Sequence, residues 1–432
     1  MSEDYKGLED ILKLEPEVNK YAPWGIEFNP IPRSGTSNIN SSDRVSIALA
    51  PLTPKVQNEV IRFIKDSLTP NEFDKSDQFI SATIVGDYGS GKTHLLMYVR
   101  AMLNQIRDSH KFLKPYCIYV DNPGGSILEF IGNIISKIDE ENMRKFVWNH
   151  IIEVIMADED VKSKIKYMAP TQGMLFQGEG ESPDPFNEAN TTSYKKFLDA
   201  ILRNISSANK KKFDKYFGEQ VRHILEEDTQ DSTVAYYFYD FISTDFGINK
   251  TWEALTSGSL RQMSGKEFAV IKYIVKLLKR EGFSHVFILI DEFEDLTAGR
   301  LSKAQLDNYV HNLRTLLDQH REWCLLFAMN PLALDRLKKV SPPLADRICV
   351  RLIELDNLNV NEAASLIKSY FNLADYKDDI PLTPEALAYI NEICDGNARR
   401  VLKITFTLFE IAADKGVKLL DKKFVENNLP AF

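Results

Sequence analysis

The segment from residue 86 to residue 93 reads GDYGSGKT and decides how the rest of the chain is interpreted. It follows a short β-rich run, Phe79 to Val85, and is followed by apolar residues at helical spacing. A strand, a glycine-rich loop and a helix are therefore expected in succession. In the pattern GxxxxGK[ST], the glycines let backbone N–H groups turn toward a phosphate chain, and the helix N-terminus adds positive potential. The segment predicts a phosphate-binding loop.

Residues of this loop have distinct expected roles. Lys92 would reach the β- and γ-phosphates of a nucleotide, and the hydroxyl of Thr93 would hold Mg²⁺. The expected cofactors are therefore ATP and Mg²⁺. The expected nucleotide contacts come from nine consecutive residues: Gly86, Asp87, Tyr88, Gly89, Ser90, Gly91, Lys92, Thr93 and His94. The alternative is a simple glycine turn, which leaves the strand and helix on either side unexplained.

A second pattern, VFILIDE at residues 286–292, is an apolar strand that ends in two carboxylates. Downstream of a phosphate loop it is typical of a Walker B strand. Asp291 is expected to hold Mg²⁺ through water, and Glu292 to polarise the attacking water as general base. The alternative is a buried strand with solvated acids at its exit. The predicted reaction is hydrolysis of ATP to ADP and phosphate.

A polar residue, Asn330, follows the next apolar run, Cys324 to Ala328. At the tip of a neighbouring strand, such a residue can reach the γ-phosphate and orient water. Because Pro331 comes next, the same residue could equally form a turn. Asn330 is therefore a candidate catalytic residue with a structural alternative.

Arginines supply the remaining candidates for catalysis. Arg347 is expected just before a strand and Arg351 inside it, and either could be an arginine finger that stabilises transition-state charge in a neighbour's site. Single arginines are more often surface residues or carboxylate partners. Arg399 or Arg400, in the segment GNARR at residues 396–400, could reach back to the γ-phosphate from a helix start.

Strands separated by helices predict an α/β fold with a parallel sheet flanked by helices, of the P-loop NTPase type. A charge-rich helical insertion and a C-terminal helical lid are expected in addition. The predicted organisation is an irregular N-terminal extension at 1–55, an ATPase core at 56–138 and 266–355, the insertion at 139–265, and the lid at 356–432.

Composition excludes several classes of protein. With 44% hydrophobic and 27% charged residues among 432, the chain is neither disordered nor membrane-embedded in type. No apolar run approaches the roughly 20 residues that span a bilayer, and no leader is recognised, so a cytoplasmic protein without a membrane partner is expected. The net charge of −9 gives no general attraction to nucleic acid, although local basic faces can still bind DNA. Neither the cysteines nor the histidines have metal-ligand spacing.

These features, in this order, resemble the AAA+ ATPases over roughly Val56–Ile138 and Lys266–Phe432. The resemblance implies Walker A and Walker B segments, sensor 1 at Asn330, an arginine finger at Arg347 and sensor 2 at Arg399. The GNARR and DRI stretches look most like the initiator branch, the origin-recognition and helicase-loader ATPases. The runs LDNYVHNLRTLLDQH at 306–320 and PPLADRI at 342–348 show a weaker similarity to ATPases of bacterial BREX phage-resistance systems.

The resemblance implies a homo-oligomer or a subunit of a larger complex. Its expected activity is that of a motor or loader on DNA or a DNA-bound complex, in phage defence or a replication-related process. The alternative is a signalling switch controlled by ATP with slow turnover. At the N-terminus, WGIEFNP at residues 24–30 is similar to a segment that precedes the core in transposition-type and secretion-type ATPases, where it would border the adenine. The alternative for this segment is simple packing.

Overall fold

Five short strands form one parallel sheet in this computed structural model. The structure describes residues 19–34, 52–69, 80–168, 186–187, 190–202, 205, 207–243, 252–253, 265–319 and 323–429. The strands are β1 (Ser81–Gly86), β2 (Pro115–Val120), β3 (His285–Ile290), β4 (Trp323–Met329) and β5 (Arg351–Leu355). Their order is β2-β3-β4-β1-β5. Every residue of β1, β3 and β4 is buried, as expected for a parallel sheet covered on both faces. The predicted α/β fold with a parallel sheet is confirmed.

Helices connect the strands and continue beyond them. Between the N-terminal segment and β3 they are α1 (Pro54–Leu68), α2 (Lys92–Ser109), α3 (Ile127–Ser136), α4 (Glu140–Ala157), α5 (Glu159–Met168), α6 (Tyr194–Leu202), α7 (Ser207–Thr229), α8 (Ser232–Ser243) and α9 (Glu267–Arg280). After β3 they are α10 (Lys303–Gln319), α11 (Pro331–Val340), α12 (Pro342–Ile348), α13 (Val360–Leu373), α14 (Pro384–Ile393), α15 (Ala398–Lys415) and α16 (Lys422–Asn428). None of the helices in the described ranges is long and apolar enough to cross a membrane.

The boundary before β5 differs from the expectation. We expected a strand from Cys349, but α12 extends to Ile348 and the strand begins only at Arg351. Two prolines open α12, where their fixed φ and missing N–H favour a helix start. The helix end is then anchored to β1, because the hydroxyl of Thr83 donates to the carbonyl of Ile348 at 2.8 Å. Arg347 therefore lies in a helix rather than beside the strand.

The described part of the insertion is helical from α4 to α8. Lys276 and Arg280 of α9 both contact the carboxylate of Asp228. The lysines at 210–212 are exposed on α7. These lysines are therefore accessible to a phosphate backbone, whereas Lys276 and Arg280 are engaged by a carboxylate.

The chain divides into two compact units. The first comprises Met1–Ile61, Ile84–Met102 and Ile353–Phe432, and the second comprises Arg62–Thr83 and Leu103–Leu352. In the first unit, helices α13 to α16 enclose an apolar core that also takes in Trp24, Ile26 and Ile31 from the N-terminal segment. The predicted division into extension, core, insertion and lid stays a prediction, and parts of the extension and insertion lie outside the described residues.

Trp24 of the WGIEFNP segment packs among the C-terminal helices. Its side chain is 7% exposed. The indole ring meets Phe409 edge-on with the ring centroids 5.5 Å apart, and its N–H donates to the carbonyl of Lys418 at 2.7 Å. The packing alternative thus describes Trp24, and a place of the WGIEFNP segment beside an adenine stays a prediction. Nearby, Glu410 accepts hydrogen bonds from Tyr21 and Asn29, which fastens the same segment.

We expect Trp24→Ala to destabilise the first unit by about 3 kcal/mol, because it removes a buried indole and leaves a cavity. The measurement is the midpoint of thermal and urea unfolding. Phe28→Ala is the matched control, since this aromatic belongs to the same segment but is 58% exposed. Equal midpoints for the two variants would contradict the packing role of Trp24.

Candidate functional site

The phosphate loop joins the end of β1 to the start of α2, as predicted. Gly89 and Gly91 have φ angles of +82° and +102°, a backbone conformation that L side chains rarely adopt. A Cβ on Gly91 would meet no atom within 4 Å, so the glycine is required for its backbone conformation rather than for space. Ser90 N–H donates to the carbonyl of Asp87 at 3.1 Å and closes the turn. Of the two glycines that the sequence pattern requires, Gly91 thus has a positive φ, and Gly89, which the pattern leaves open, has one as well.

Lys92 lies at the start of α2 and is only 9% exposed. Its ammonium donates to the carbonyl of Gly86 at 3.0 Å and to that of Asp87 at 3.3 Å. The cation is therefore held against the loop by the backbone rather than extended into solvent. Thr93 and His94 follow in the first turn of α2 and are partly exposed. Together with the dipole of α2, this arrangement favours an anion at the loop.

The loop is also bonded to the start of α15, within the same unit. Asn397 donates from its side-chain amide to the carbonyl of Tyr88 at 2.7 Å, and the N–H of Arg399 donates to the carbonyl of Gly89 at 3.2 Å. The guanidinium of Arg399 lies 5.0 Å from the centre of the Tyr88 ring and donates to its hydroxyl. Arg399 therefore lies beside the phosphate loop, whereas Arg400 is near Asp395 at 3.7 Å.

The two carboxylates at the end of β3 have different environments in the second unit. Asp291 is 4% exposed and accepts a hydrogen bond from the hydroxyl of Tyr119 at 2.9 Å. Its other oxygen accepts from the N–H of Glu292 at 2.9 Å. Glu292 is exposed and has a φ of +50°, an uncommon conformation for a residue other than glycine. Partial burial and the adjacent charge of Asp291 raise the pKa of the Glu292 carboxyl.

Asn330 caps α11. Its side-chain oxygen accepts from the N–H of Ala333 at 2.8 Å, and Pro331 occupies the first helical position. Both features are typical of a helix N-terminus. Asn330 thus has a structural role, as a helix cap rather than in the turn that was its alternative. The cap uses the amide oxygen and not the NH₂ group.

The two finger candidates are each bonded to a carboxylate of their own chain. Arg347, in the last turn of α12, donates from Nη2 to Asp318 at 3.0 Å and from Nε to the other oxygen of the same carboxylate. It also donates to the carbonyl of Pro343 at 2.7 Å. Arg351 pairs with Asp66. Arg347 therefore sits in a bidentate ion pair, and the expected position just before a strand was wrong.

Each unit brings together part of the predicted set. The first unit joins the phosphate loop to Arg399, and the second places Asp291 beside Glu292. Two further residues were not singled out from the sequence: Tyr119, which bonds Asp291, and Asn397, which bonds the loop. Asn397 could have been found from its place as the capping residue before α15, whereas nothing in the sequence linked Tyr119 to a residue 172 positions away. The described residues include no group of three or more His, Cys, Asp or Glu side chains that could hold a metal ion.

Comparison with known proteins gives limited overlap. No family model matches the chain. A curated protein from Methanocaldococcus jannaschii, named an uncharacterized HTH-type transcriptional regulator, is 32% identical over 143 residues. That match spans 32% of this chain and 33% of the relative, so only about a third of the relative's length is represented.

Solved structures of two Aeropyrum pernix proteins are similar over a larger share of this chain. The ORC2 protein in ADPNP–ADP complexes gives a TM-score of 0.43 at 15% identity and covers 88% of this chain and 70% of that one. Its ADP form gives 0.41 at 13% identity, with 94% and 71% covered. The ORC1 protein in complex with DNA gives 0.40 at 13% identity, with 90% and 70% covered.

Proposed function

We propose that this chain binds ATP at residues 86–94 and hydrolyses it. The observation that carries the proposal is the geometry of the phosphate loop: two glycines with positive φ, a buried Lys92 and a helix N-terminus follow one buried strand. Amide donors, a cation and a helix dipole at one loop favour a polyphosphate over a neutral ligand.

Mg²⁺ fits the oxygen donors that the AAA+ resemblance assigns to it, the hydroxyl of Thr93 and the carboxylate of Asp291. Held by these residues, the ion would neutralise phosphate charge. Tyr119 holds one oxygen of Asp291, so this buried carboxylate has a fixed orientation. Glu292 takes the role of general base, which its exposure and raised pKa support. Asn330 and Arg399 would contact the γ-phosphate, Asn330 through the NH₂ group that its cap leaves unused.

Beyond the reaction itself, we propose an AAA+ protein of the initiator type that works as an oligomer on DNA or a DNA-bound complex. The GNARR and DRI segments support that branch, and the similarity to a curated protein named a transcriptional regulator supports a role at DNA. Exposed lysines at 210–212 offer a local basic face despite the net negative charge. In this proposal Arg347 completes the site of a neighbouring subunit. A replication-related process and phage defence are both compatible with it, and the BREX similarity stays a prediction.

The second candidate is an ATP-controlled switch with slow turnover. One observation favours it: Arg347 is held by Asp318 and Pro343 of its own chain, as expected of a structural arginine. A switch needs no arginine from a neighbour.

A paired substitution separates the two candidates. If Arg347 acts on a neighbour's ATP, Arg347→Ala is expected to slow hydrolysis by about 10³-fold, whereas Asp318→Asn, which weakens the same ion pair, retains most activity. The rate per chain should also rise with protein concentration and respond to duplex DNA. The measurement is steady-state phosphate release across a protein dilution series, with and without DNA.

If both variants lose the same small amount of activity and the rate per chain is independent of concentration, the shared-site proposal is wrong. An absence of DNA binding and of stimulation by DNA would in turn favour the switch.

A further inference from the structure

The outer side of the phosphate loop is fixed by donors from the start of α15. The carbonyls of Tyr88 and Gly89 accept from the side chain of Asn397 and the backbone of Arg399. A trans peptide directs its C=O and the following N–H to opposite sides. With the carbonyl of Tyr88 turned toward Asn397, the N–H of Gly89 is turned away from it. The α15 residues therefore help to set the direction of a loop amide.

Asn397 is itself held in this orientation. Its side-chain oxygen accepts from the N–H of Arg400 at 3.2 Å and caps α15, so its NH₂ group is the end that is left to bond Tyr88. The approach is close, because a Cβ on Gly89 would lie 2.7 Å from Asn397 Oδ1 and 2.9 Å from Arg399 Cβ. The loop backbone is thus in direct contact with the start of α15, and the contact is possible because Gly89 has no Cβ.

The side chain of Tyr88 makes the remaining contacts with Arg399. It is 76% exposed, and the described residues assign it no packing role in an apolar core. Its ring lies under the guanidinium at 5.0 Å, and its hydroxyl accepts from Nη1. A long arginine side chain normally loses much rotamer freedom when it binds a phosphate. Stacking on Tyr88 restricts that side chain in advance.

We propose that Tyr88 is a positioning residue for Arg399, which it holds at the phosphate loop so that the guanidinium contacts the third phosphate of ATP. The inference rests on the proposed function, in which this loop binds the nucleotide. ADP lacks the third phosphate, so Tyr88 contributes to preference for ATP over ADP. It acts through Arg399 rather than by touching the reacting atoms.

The test is titration of ADP and of a non-hydrolysable ATP analogue against the full chain. Tyr88→Ala is expected to lower the ratio of analogue affinity to ADP affinity about fivefold, the scale of one stacking contact and one hydrogen bond. Tyr88→Phe keeps the ring, so its affinity ratio should lie between those of wild type and Tyr88→Ala.

The double variant tests whether Tyr88 acts through Arg399. Combined with Arg399→Ala, Tyr88→Ala should lower the ratio no further than Arg399→Ala alone, because both act through one group. Phe112→Ala, at another exposed aromatic, is the control.

Several outcomes would overturn the proposal. In Tyr88→Ala, these are an equal loss of affinity for ADP and for the ATP analogue, or an unaltered ratio of the two affinities. In the double variant, the contradicting outcome is a ratio lowered by the product of the two single effects. The proposal would also be overturned if Arg399→Ala had the same ratio of analogue affinity to ADP affinity as the wild type. If that variant still binds ADP, the proposed function of the phosphate loop is unaffected. If the wild-type chain binds neither nucleotide, the proposed function itself fails.

Discussion

Lys92→Ala is expected to lower the affinity for ATP by about 100-fold or more. The ammonium is buried against the loop, where its charge adds to the amides and the helix dipole, and a charge-assisted contact with phosphate is about twice as strong as a neutral one. Removing it also leaves the carbonyls of Gly86 and Asp87 without this donor. Isothermal titration with ATP and Mg²⁺ measures the loss.

Lys92→Met separates loss of charge from loss of volume, because it keeps an aliphatic chain of similar length. We expect it to bind ATP as poorly as Lys92→Ala. Lys211→Ala, an exposed lysine on α7, is the control and should bind as wild type does. Wild-type affinity in Lys92→Met would show that the cation of Lys92 does not hold phosphate.

Glu292→Gln is expected to slow ATP hydrolysis by about 10²- to 10⁴-fold, while the affinity for ATP alters little. The substitution removes a base but keeps the shape of the side chain. Single-turnover phosphate release measures the chemical step apart from binding. Glu294→Gln, two residues further along, is the control and should hydrolyse ATP near the wild-type rate. Undiminished hydrolysis in Glu292→Gln would leave a nucleotide-binding scaffold as the better description.

The same variant has an expected effect on stability that runs opposite to its effect on rate. Partial burial, and next the charge of Asp291, raise the pKa of Glu292, so the folded chain binds this proton more tightly than the unfolded chain. Ionised Glu292 therefore destabilises the fold at neutral pH, and Glu292→Gln should unfold at a slightly higher midpoint. The difference should shrink as pH falls from the raised pKa to the ordinary glutamate value. Midpoints measured from pH 4 to pH 8 check this sign.

The strands and the phosphate loop were predictable because their signals are local. β3 is apolar from Val286 to Ile290 and β1 is a short β-rich run, and the full burial of both strands follows from a sheet covered on both faces. Gly89 and Gly91 are required by backbone angles that few other residues adopt. The sequence around Asn330 was consistent both with a catalytic residue at a strand tip and with a structural role beside Pro331. Asn330 caps a helix because Pro331 favours a helix start.

Contacts between distant residues could not be predicted in the same way. The carboxylate that holds Arg347 is 29 residues away on another helix, and no spacing rule relates the two. Trp24 contacts Phe409 and Lys418, which lie nearly 400 residues further along the chain. In each case the residue type was consistent with several partners, and only the packing of whole elements selected one.

The three separate stretches that build the first unit have a consequence for how the chain folds as it leaves the ribosome. Tyr88 and Gly89 are synthesised early, but the α15 residues that bond them follow about 310 positions later. The second unit, Arg62–Thr83 and Leu103–Leu352, is synthesised completely before α15 and can fold first, since domains generally form in order of synthesis. The contacts of the phosphate loop with α15 are therefore completed last. A nascent chain that stops short of residue 397 carries the whole GDYGSGKT segment without the contacts that shape it.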